Sequence, residues 1–337
     1  MDLKTLRQTA REKMKGYCRV CPVCDGRACA GEVPGMGGSG TGASFKNNVE
    51  ALAGFRLNLK TLHNAKNPDT RFTLFGRELA TPILGAPITG NSFNMGGALS
   101  EEAWSAAFIQ GCREAGTIAG LGDMADPSLY NIGLDAIAAA EGWGISFVKP
   151  RPQAEVLKFL RRAEESGALA VGMDVDGAGL ITLALKGHPV GPKTPEELRE
   201  IIGATSLPFI VKGVMTVEDA EIAAEAGAAA IVVSNHGGRV LDHTPGTAEV
   251  LPEIAARVRG RVLVLADGGI RSGVDVLKML ALGADAVLVG RPLIVAAYGG
   301  GAEGVAFALQ TMTNELKQAM ILTGCASLED ITMDALA

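Results

Sequence analysis

The chain of 337 residues has few aromatic side chains, no excess of positive charge and a low share of charged residues. Aromatic residues make up only 4%, which disfavours an all-β fold, because strands are enriched in aromatic and β-branched side chains. A net charge of -6 argues against nucleic-acid binding, which needs clustered Lys and Arg. With 47% hydrophobic residues, the composition instead predicts a folded domain with a large apolar core.

The N-terminus lacks the features of a secretory segment. Its first eleven residues are rich in charge and hold no apolar core of the kind that signal peptides carry. Neither a low-complexity tail nor a second globular domain is apparent in the sequence. We therefore expect a cytoplasmic protein with no membrane partner.

Eight short apolar runs recur between about residues 81 and 295, each followed by a Gly- or Asp-containing loop and an amphipathic helical pattern. This βα alternation implies a parallel sheet of the α/β class. Eight equivalent units predict a closed (β/α)8 TIM barrel, whose active site lies on the loops after the strands. The predicted strands cover residues 82–88, 117–121, 144–148, 169–174, 208–213, 229–234, 262–267 and 285–290.

We divide the chain into an N-terminal extension with a Cys cluster and helices, residues 1–80, and a barrel domain, residues 81–337. Helices are expected at 2–15 and 45–62, and a long closing helix at 302–323. The glycine-rich stretch 35–42 is expected to be a loop, because glycine at this density disfavours a helix.

The strongest chemical signal is the sequence VSNHGGR at residues 233–239, where the sixth strand gives way to its loop. A neutral imidazole at His236 can accept a proton, and Arg239 can bind a carboxylate through two hydrogen bonds. A loop histidine with only a capping role is the alternative. The adjacent arginine and glycines favour the functional interpretation.

A second signal follows the last two strands. Glycine-rich loops with an arginine occur at residues 266–271 and 289–291, and barrels commonly bind phosphate between these two loops. Ordinary tight turns are the alternative. The predicted phosphate-site residues are Asp267, Gly268, Gly269, Arg271, Gly290 and Arg291.

Lys212 ends the apolar fifth strand. A lysine in this position must either point into the barrel mouth or bear a burial cost, so we expect it to serve the site.

These motifs, in this order, resemble those of the FMN-dependent 2-hydroxy-acid oxidase and dehydrogenase family, whose members oxidise lactate, glycolate or mandelate. The similarity runs from about residue 82 to 324 and is strongest after residue 208. It implies a (β/α)8 barrel that binds FMN and oxidises a small 2-hydroxy acid to the 2-oxo acid. Electrons would then pass to dioxygen or another acceptor, and a homo-oligomer is expected.

The resemblance also implies residue roles. His236 is the expected base, Arg239 the carboxylate clamp, and Asp174 the aspartate that pairs with the histidine. Lys212 is expected beside the flavin N1 and C2 carbonyl, where it stabilises the charge of reduced flavin. The backbone of Pro87, Ile88 and Thr89 is expected to pack on the flavin ring, and the remaining expected cofactor contacts are Ser234 and Gly237.

The sequence departs from the family at its substrate contacts. The tyrosines expected near the end of strand three and in the N-terminal segment are absent, as is a second arginine soon after Asp174. The loop at 177–193 carries Lys186, His188 and Lys193, for which a solvated loop is the simpler interpretation. The substrate is thus left open.

Four cysteines form a run, Cys18-x2-Cys21-x2-Cys24-x4-Cys29. The spacing resembles, without matching, that of iron–sulfur proteins, and four close thiolates can also hold zinc. A cluster within electron-transfer reach of the flavin could accept its electrons in place of dioxygen. Free or redox-active thiols are the alternative.

Three other functions are compatible with parts of the pattern. An FMN-dependent isomerase would keep the cofactor without net oxidation, and the missing tyrosines favour it. A Schiff-base lyase would use Lys212 as nucleophile. A redox sensor would need only the cysteines, but the combination of His236, Arg239 and Asp174 argues for catalysis.

Overall fold

Eight parallel strands form the centre of the protein in the computed structural model, which describes residues 2–180, 183 and 187–337. They follow a short antiparallel hairpin, β1 (Phe72–Leu74) and β2 (Arg77–Leu79). The barrel strands are β3 (Ile83–Gly85), β4 (Gly120–Leu121), β5 (Ile145–Val148), β6 (Ala170–Asp174), β7 (Phe209–Val214), β8 (Ala230–Val233), β9 (Leu263–Ala266) and β10 (Ala286–Val289).

The eight strands close into a barrel. Their hydrogen-bonded order is β3-β10-β9-β8-β7-β6-β5-β4, and a parallel bridge between Gly85 and Ala119 joins the two ends of this order. Each of the eight predicted runs coincides with one of these strands. The predicted (β/α)8 barrel is therefore confirmed.

Helices surround the barrel, and further helices lie near both ends of the chain. Helix α1 begins at the N-cap Asp2, whose side chain accepts a hydrogen bond from the Thr5 N–H. The described helices are α1 (Leu3–Lys13), α2 (Ala43–Gly54), α3 (Asn91–Met95), α4 (Glu101–Glu114), α5 (Pro127–Ala139), α6 (Gln153–Glu165), α7 (Pro195–Gly203), α8 (Val217–Glu225), α9 (Thr247–Val258), α10 (Gly273–Ala281) and α11 (Arg291–Thr323).

The barrel strands are mostly apolar because both of their faces are buried, and their polar residues are Ser146, Asp174 and Lys212. In β8, Ala230 and Val232 belong to the cluster inside the barrel, whereas Ile231 and Val233 pack in the layer beneath the helices. This alternation is the ordinary two-residue period of a strand. Because both faces of each strand are buried, the strand ends and the loops are the places for polar side chains.

The expected helix at 45–62 is wrong in its extent. Helix α2 ends at Gly54, and Phe55 already has extended backbone angles. Beyond it the chain pairs with the C-terminus, since the Asn58 N–H donates to the Ala335 carbonyl and Leu57 bridges Leu336. Long-range pairing has overridden the local helical pattern.

Helix α11 is long and apolar enough, by length and composition, to cross a membrane. It is kinked at Gly300 and Gly301, packs against α1 and α4, and has 56% of its most apolar window buried inside the protein. We interpret it as a core helix that closes the barrel. The expected closing helix, 302–323, forms its second half.

Candidate active site at the carboxyl ends of the barrel strands

A cavity of about 210 Å³ opens where the barrel strands end. Its wall collects almost all the residues that the sequence singled out. Among the predicted catalytic, substrate-binding and FMN-binding residues, Ser234 is the exception, because it is buried behind the wall, where its Oγ accepts a hydrogen bond from the His236 N–H at 3.0 Å. The predicted residues in the wall are Pro87, Ile88, Thr89, Asp174, Lys212, His236, Gly237, Arg239, Asp267, Gly268, Gly269, Arg271, Gly290 and Arg291.

Buried carboxylates and lysines line one side of this cavity. Asp174 ends β6 directly opposite Lys212 of β7, and their Oδ1 and Nζ atoms lie 3.1 Å apart. Lys149, which follows β5, places its Nζ 2.6 Å from the other oxygen of Asp174. Asp267 Oδ2 lies 3.8 Å from the Lys212 ammonium. We call Lys149, Asp174, Lys212 and Asp267 the acid–lysine side.

Mutual attraction keeps Asp174 and Lys212 charged despite their burial. Burial by itself would raise the pKa of Asp174, but the charges of Lys149 and Lys212 hold that pKa below its usual value. Burial would likewise lower the pKa of Lys212, and the carboxylates of Asp174 and Asp267 hold it above its usual value. The side chains therefore form a fixed ionic network.

His236 pairs with Asp176, and the expected pairing with Asp174 is wrong. Its Nδ1 lies 3.0 Å from Asp176 Oδ1, whereas both oxygens of Asp174 face lysines. The β7 strand has a register shift at Gly213, which has a φ of +101°. A Cβ there would come within 2.8 Å of the Asp176 backbone nitrogen, so only glycine leaves room for the aspartate beneath the histidine.

The histidine loop has an unusual backbone. His236, Gly237 and Gly238 have consecutive φ values of +57°, +64° and +78°, in the left-handed region that glycine adopts freely and histidine rarely does. A Cβ on Gly238 would collide with the backbone of Phe45 in α2. Strained residues of this kind concentrate at functional sites, where the surrounding structure holds them.

A segment of the N-terminal extension, residues 33–42, covers part of the cavity; we call it the mouth segment. Its Ser39 N–H donates to the Gly238 carbonyl at 2.8 Å, and its Ser39 Oγ donates to the Arg239 carbonyl at 2.5 Å. Arg239 Nη1 in turn donates to the carbonyls of Gly35, at 2.6 Å, and Gly37, at 3.2 Å. The extension thus contributes part of the site wall.

Three arginines, Arg239, Arg271 and Arg291, line another part of the cavity, which we call the arginine side. Arg291 donates to the carbonyls of Met36 and Gly37, and its guanidinium stacks 3.8 Å from the centre of the Phe45 ring. Burial, followed by the nearby charges of Arg239 and Arg271, lowers the pKa of Arg291. This wall carries positive charge that neutral carbonyls only partly balance, so it favours a bound anion.

The same wall fits the phosphate of FMN. The buried Nη2 of Arg271 has no hydrogen-bond partner among the described residues. Gly290 caps the N-terminus of α11, where backbone N–H groups attract anions, and Gly268 and Gly269 have positive φ values that turn the backbone tightly. A Cβ on Gly269 would collide with the Asn48 carbonyl.

Several residues of the site were missed by the sequence reasoning. Lys149 directly follows an apolar strand, a signal close to the one that identified Lys212. Asp176 stands two residues after Asp174, and Asn94, which accepts from Arg239 Nη2 at 2.9 Å, carries no sequence signal. Of the loop candidates, His188 and Lys193 do not line the cavity, and Lys186 lies outside the described residues.

The four cysteines line a second cavity, of about 390 Å³, on the outer side of the mouth segment. All four are free thiols and half-buried. Among the described residues, no three of their sulfur atoms lie within 4.8 Å of one another.

The fold and the site together define a barrel enzyme whose cavity is lined by a histidine paired with an aspartate, a buried lysine and three arginines. This is the arrangement expected of a flavin-dependent oxidoreductase that uses FMN.

The chain belongs to the FMN-dependent dehydrogenase family, which matches residues 35–182 and 185–337. It is thus an FMN-dependent, 2-hydroxy-acid oxidase-like oxidoreductase. The predicted reaction class, oxidation of a 2-hydroxy acid to a 2-oxo acid, is confirmed at the level of the family.

Relatives share about a third of their residues with this chain. A 2-hydroxyacid oxidase of Dictyostelium discoideum is 34% identical, over 87% of this chain and 82% of its own length. A 4-hydroxymandelate oxidase of Amycolatopsis orientalis is 36% identical, over 86% and 89%. A crystal structure of mandelate oxidase superposes with a TM-score of 0.82 at 32% identity, covering 99% of this chain and 97% of the other.

Proposed function

We propose that this chain oxidises a small 2-hydroxy acid with His236 as the base. The hydrogen bond between His236 Nδ1 and Asp176 carries this proposal. When Nδ1–H donates to the carboxylate, Nε2 is left unprotonated and can take the proton of the substrate hydroxyl. The negative charge of Asp176 then stabilises the imidazolium that forms.

FMN, when bound, supplies the electron acceptor for this oxidation. We assign its phosphate to Arg271, Arg291 and the backbone at Gly268, Gly269 and Gly290, because these groups leave positive charge and N–H donors for an anion. Lys212 supplies a fixed positive charge on the acid–lysine side. Its two carboxylate partners keep it in place and protonated.

We assign the substrate carboxylate to Arg239. Its Nη1 hydrogens donate to carbonyls of the mouth segment, and one Nη2 hydrogen donates to Asn94. Among the contacts of the described residues, Nε–H and the second Nη2–H are not used, so they can bind a ligand. Apolar side chains, among them Phe93, Met124 and Leu183, line the cavity and favour a substrate with an apolar side chain. Named relatives oxidise lactate and 4-hydroxymandelate, which are both of this kind.

The cysteine run is proposed as a metal centre, with an iron–sulfur cluster and zinc as the two candidates. The electron acceptor, a cytoplasmic location and a homo-oligomer remain predictions.

Anaerobic flavin reduction tests the proposed reaction. Lactate, glycolate and mandelate are mixed with the FMN-loaded protein without oxygen, and flavin bleaching is followed with time. His236→Ala should slow the bleaching by about 100- to 10,000-fold while FMN stays bound. Reduction of this variant at the parent rate would exclude His236 as the base.

A further inference from the structure

The cysteine cavity adjoins the FMN cavity. Met36, Arg271 and Arg291 line both of them, so a group bound among the thiols would be separated from the phosphate site by single side chains. The cysteines lie before residue 35, where the family match begins. The family therefore assigns no role to them.

Arginines from two directions hold the cysteine loop in place. From α1, Arg7 donates to the carbonyl of Cys21, and Arg11 donates to the carbonyl of Val20 at 2.9 Å. From the barrel, Arg271 Nε donates to the carbonyl of Cys24 at 3.1 Å. The loop that carries the thiols is thus fixed to the folded protein on both sides.

The thiols face a shared space. All four cysteines line this cavity, together with apolar side chains such as Leu6, Val295 and Met312. The four thiols therefore share one enclosed space, as the ligands of a single bound group would.

The spacing of the sulfur atoms distinguishes the two metal candidates. Zinc with four thiolates at about 2.3 Å in a tetrahedron requires all the sulfur atoms to lie within about 4 Å of one another. No three of these sulfurs lie within 4.8 Å, and about 390 Å³ of space lies between the groups that line the cavity. An iron–sulfur cluster fits better, because its thiolates bind different iron atoms and stand further apart.

The surroundings also suit the negative charge of such a cluster. Four arginines line the cavity against two acidic residues, Asp25 and Glu315, and the Val20 N–H donates to Cys18 Sγ at 3.4 Å; the arginines are Arg7, Arg19, Arg271 and Arg291. Hydrogen bonds to the sulfur atoms and nearby positive charge are the usual means by which proteins stabilise a cluster and set its potential.

We infer that Cys18, Cys21, Cys24 and Cys29 bind an iron–sulfur cluster, in a cavity that shares a wall with the FMN phosphate site. This inference selects between the two metal candidates proposed above. It does not depend on the oxidation of a 2-hydroxy acid.

The test is analysis of full-length protein isolated without oxygen, and again after incubation with ferrous iron and sulfide. Iron and acid-labile sulfide should be present in similar amounts, with an electron paramagnetic resonance signal after dithionite reduction. Cys24→Ser and Cys21→Ser should each lose most of the iron and sulfide but retain FMN, which shows that they fold. Cys112→Ser, a change at a buried thiol outside the cavity, is the matched control and should retain both.

Three results would overturn the inference. They are bound zinc without sulfide, absence of iron and sulfide after the incubation, and full iron content in both cavity variants. If flavin reduction by 2-hydroxy acids fails while iron and sulfide are bound as expected, only the proposed reaction is wrong. The cluster is therefore tested independently of catalysis.

Discussion

The two walls of the active-site cavity handle buried charge in opposite ways. On the acid–lysine side, Asp174 meets Lys149 and Lys212 at 2.6 and 3.1 Å, so opposite charges balance inside the protein. On the arginine side, Arg239 and Arg291 donate mainly to backbone carbonyls, which carry no net charge.

The charges on the acid–lysine side are balanced within the folded protein, whereas those on the arginine side are balanced only when a ligand binds. A buried ion pair holds its partners in one geometry, and removing one partner leaves an uncompensated charge. Positive groups without anions instead favour phosphate and carboxylate ligands. The acid–lysine side should therefore govern stability and the arginine side ligand affinity, and five predictions test this contrast.

The largest effect is expected for Asp174→Asn. It leaves two buried lysines without their shared carboxylate and should lower the free energy of unfolding by about 3–5 kcal/mol, as measured by denaturant titration. Asp135→Asn, at an exposed position on α5, is the matched control and should have little effect. A loss no greater than that of the control would contradict the ionic network.

The pH dependence of stability should show the same network. The pKa of Asp174 is lowered by folding, so its contribution is present above the unfolded value of about 3.9 and is lost as pH falls through the lower folded pKa. The pKa of Lys212 is raised, so its contribution is present below about 10.4 and is lost as pH rises through the higher folded pKa. Denaturant titrations of Asp174→Asn at acid pH should show a flatter dependence than those of the parent.

On the arginine side, Arg291→Gln should weaken FMN binding by about 10- to 100-fold, since a hydrogen bond to a charged group contributes about 1.5–3 kcal/mol. Riboflavin, which lacks the phosphate, should bind the variant and the parent alike. Quenching of flavin fluorescence by the apoprotein measures both affinities. Equal weakening of FMN and riboflavin binding would show that Arg291 does not bind the phosphate.

Asp176→Asn should affect the reaction rather than the fold. Asparagine can still hold the imidazole but cannot stabilise its positive charge, so anaerobic flavin reduction should slow about 10-fold, less than for His236→Ala. FMN content and unfolding midpoint should stay near those of the parent. If Asp174→Asn slowed reduction while Asp176→Asn did not, the pairing seen here would not be the catalytic one.

The smallest effect is expected for Ser39→Ala in the mouth segment. It removes one hydrogen bond to the Arg239 carbonyl, which contributes about 1 kcal/mol, so KM should rise a few-fold with little change in kcat. Steady-state kinetics measures both constants. A large fall in kcat with unchanged KM would instead show that the mouth segment acts in the chemical step.

The sequence predicted the barrel and most of the cavity wall, because both depend on local pattern. Apolar runs before polar loops identified the strands. The positions of Lys212, His236 and Arg271 near strand ends were enough to predict that they line the cavity, although their contacts were not known. The partner of His236 was not predictable in this way. Asp174 ends β6 and Asp176 follows two residues later, and the bulge at Gly213 leaves space for Asp176 beneath the imidazole.

The amino-acid order by itself determined the α/β class, the eight-fold repeat and the family, since strand periodicity and loop motifs are properties of neighbouring residues. Only the tertiary structure decided which charges meet. The mouth segment contacts Arg239 and Arg291 across some 200 to 255 positions of sequence. Contacts over such distances depend on how the closed barrel brings chain ends together, which no local pattern encodes.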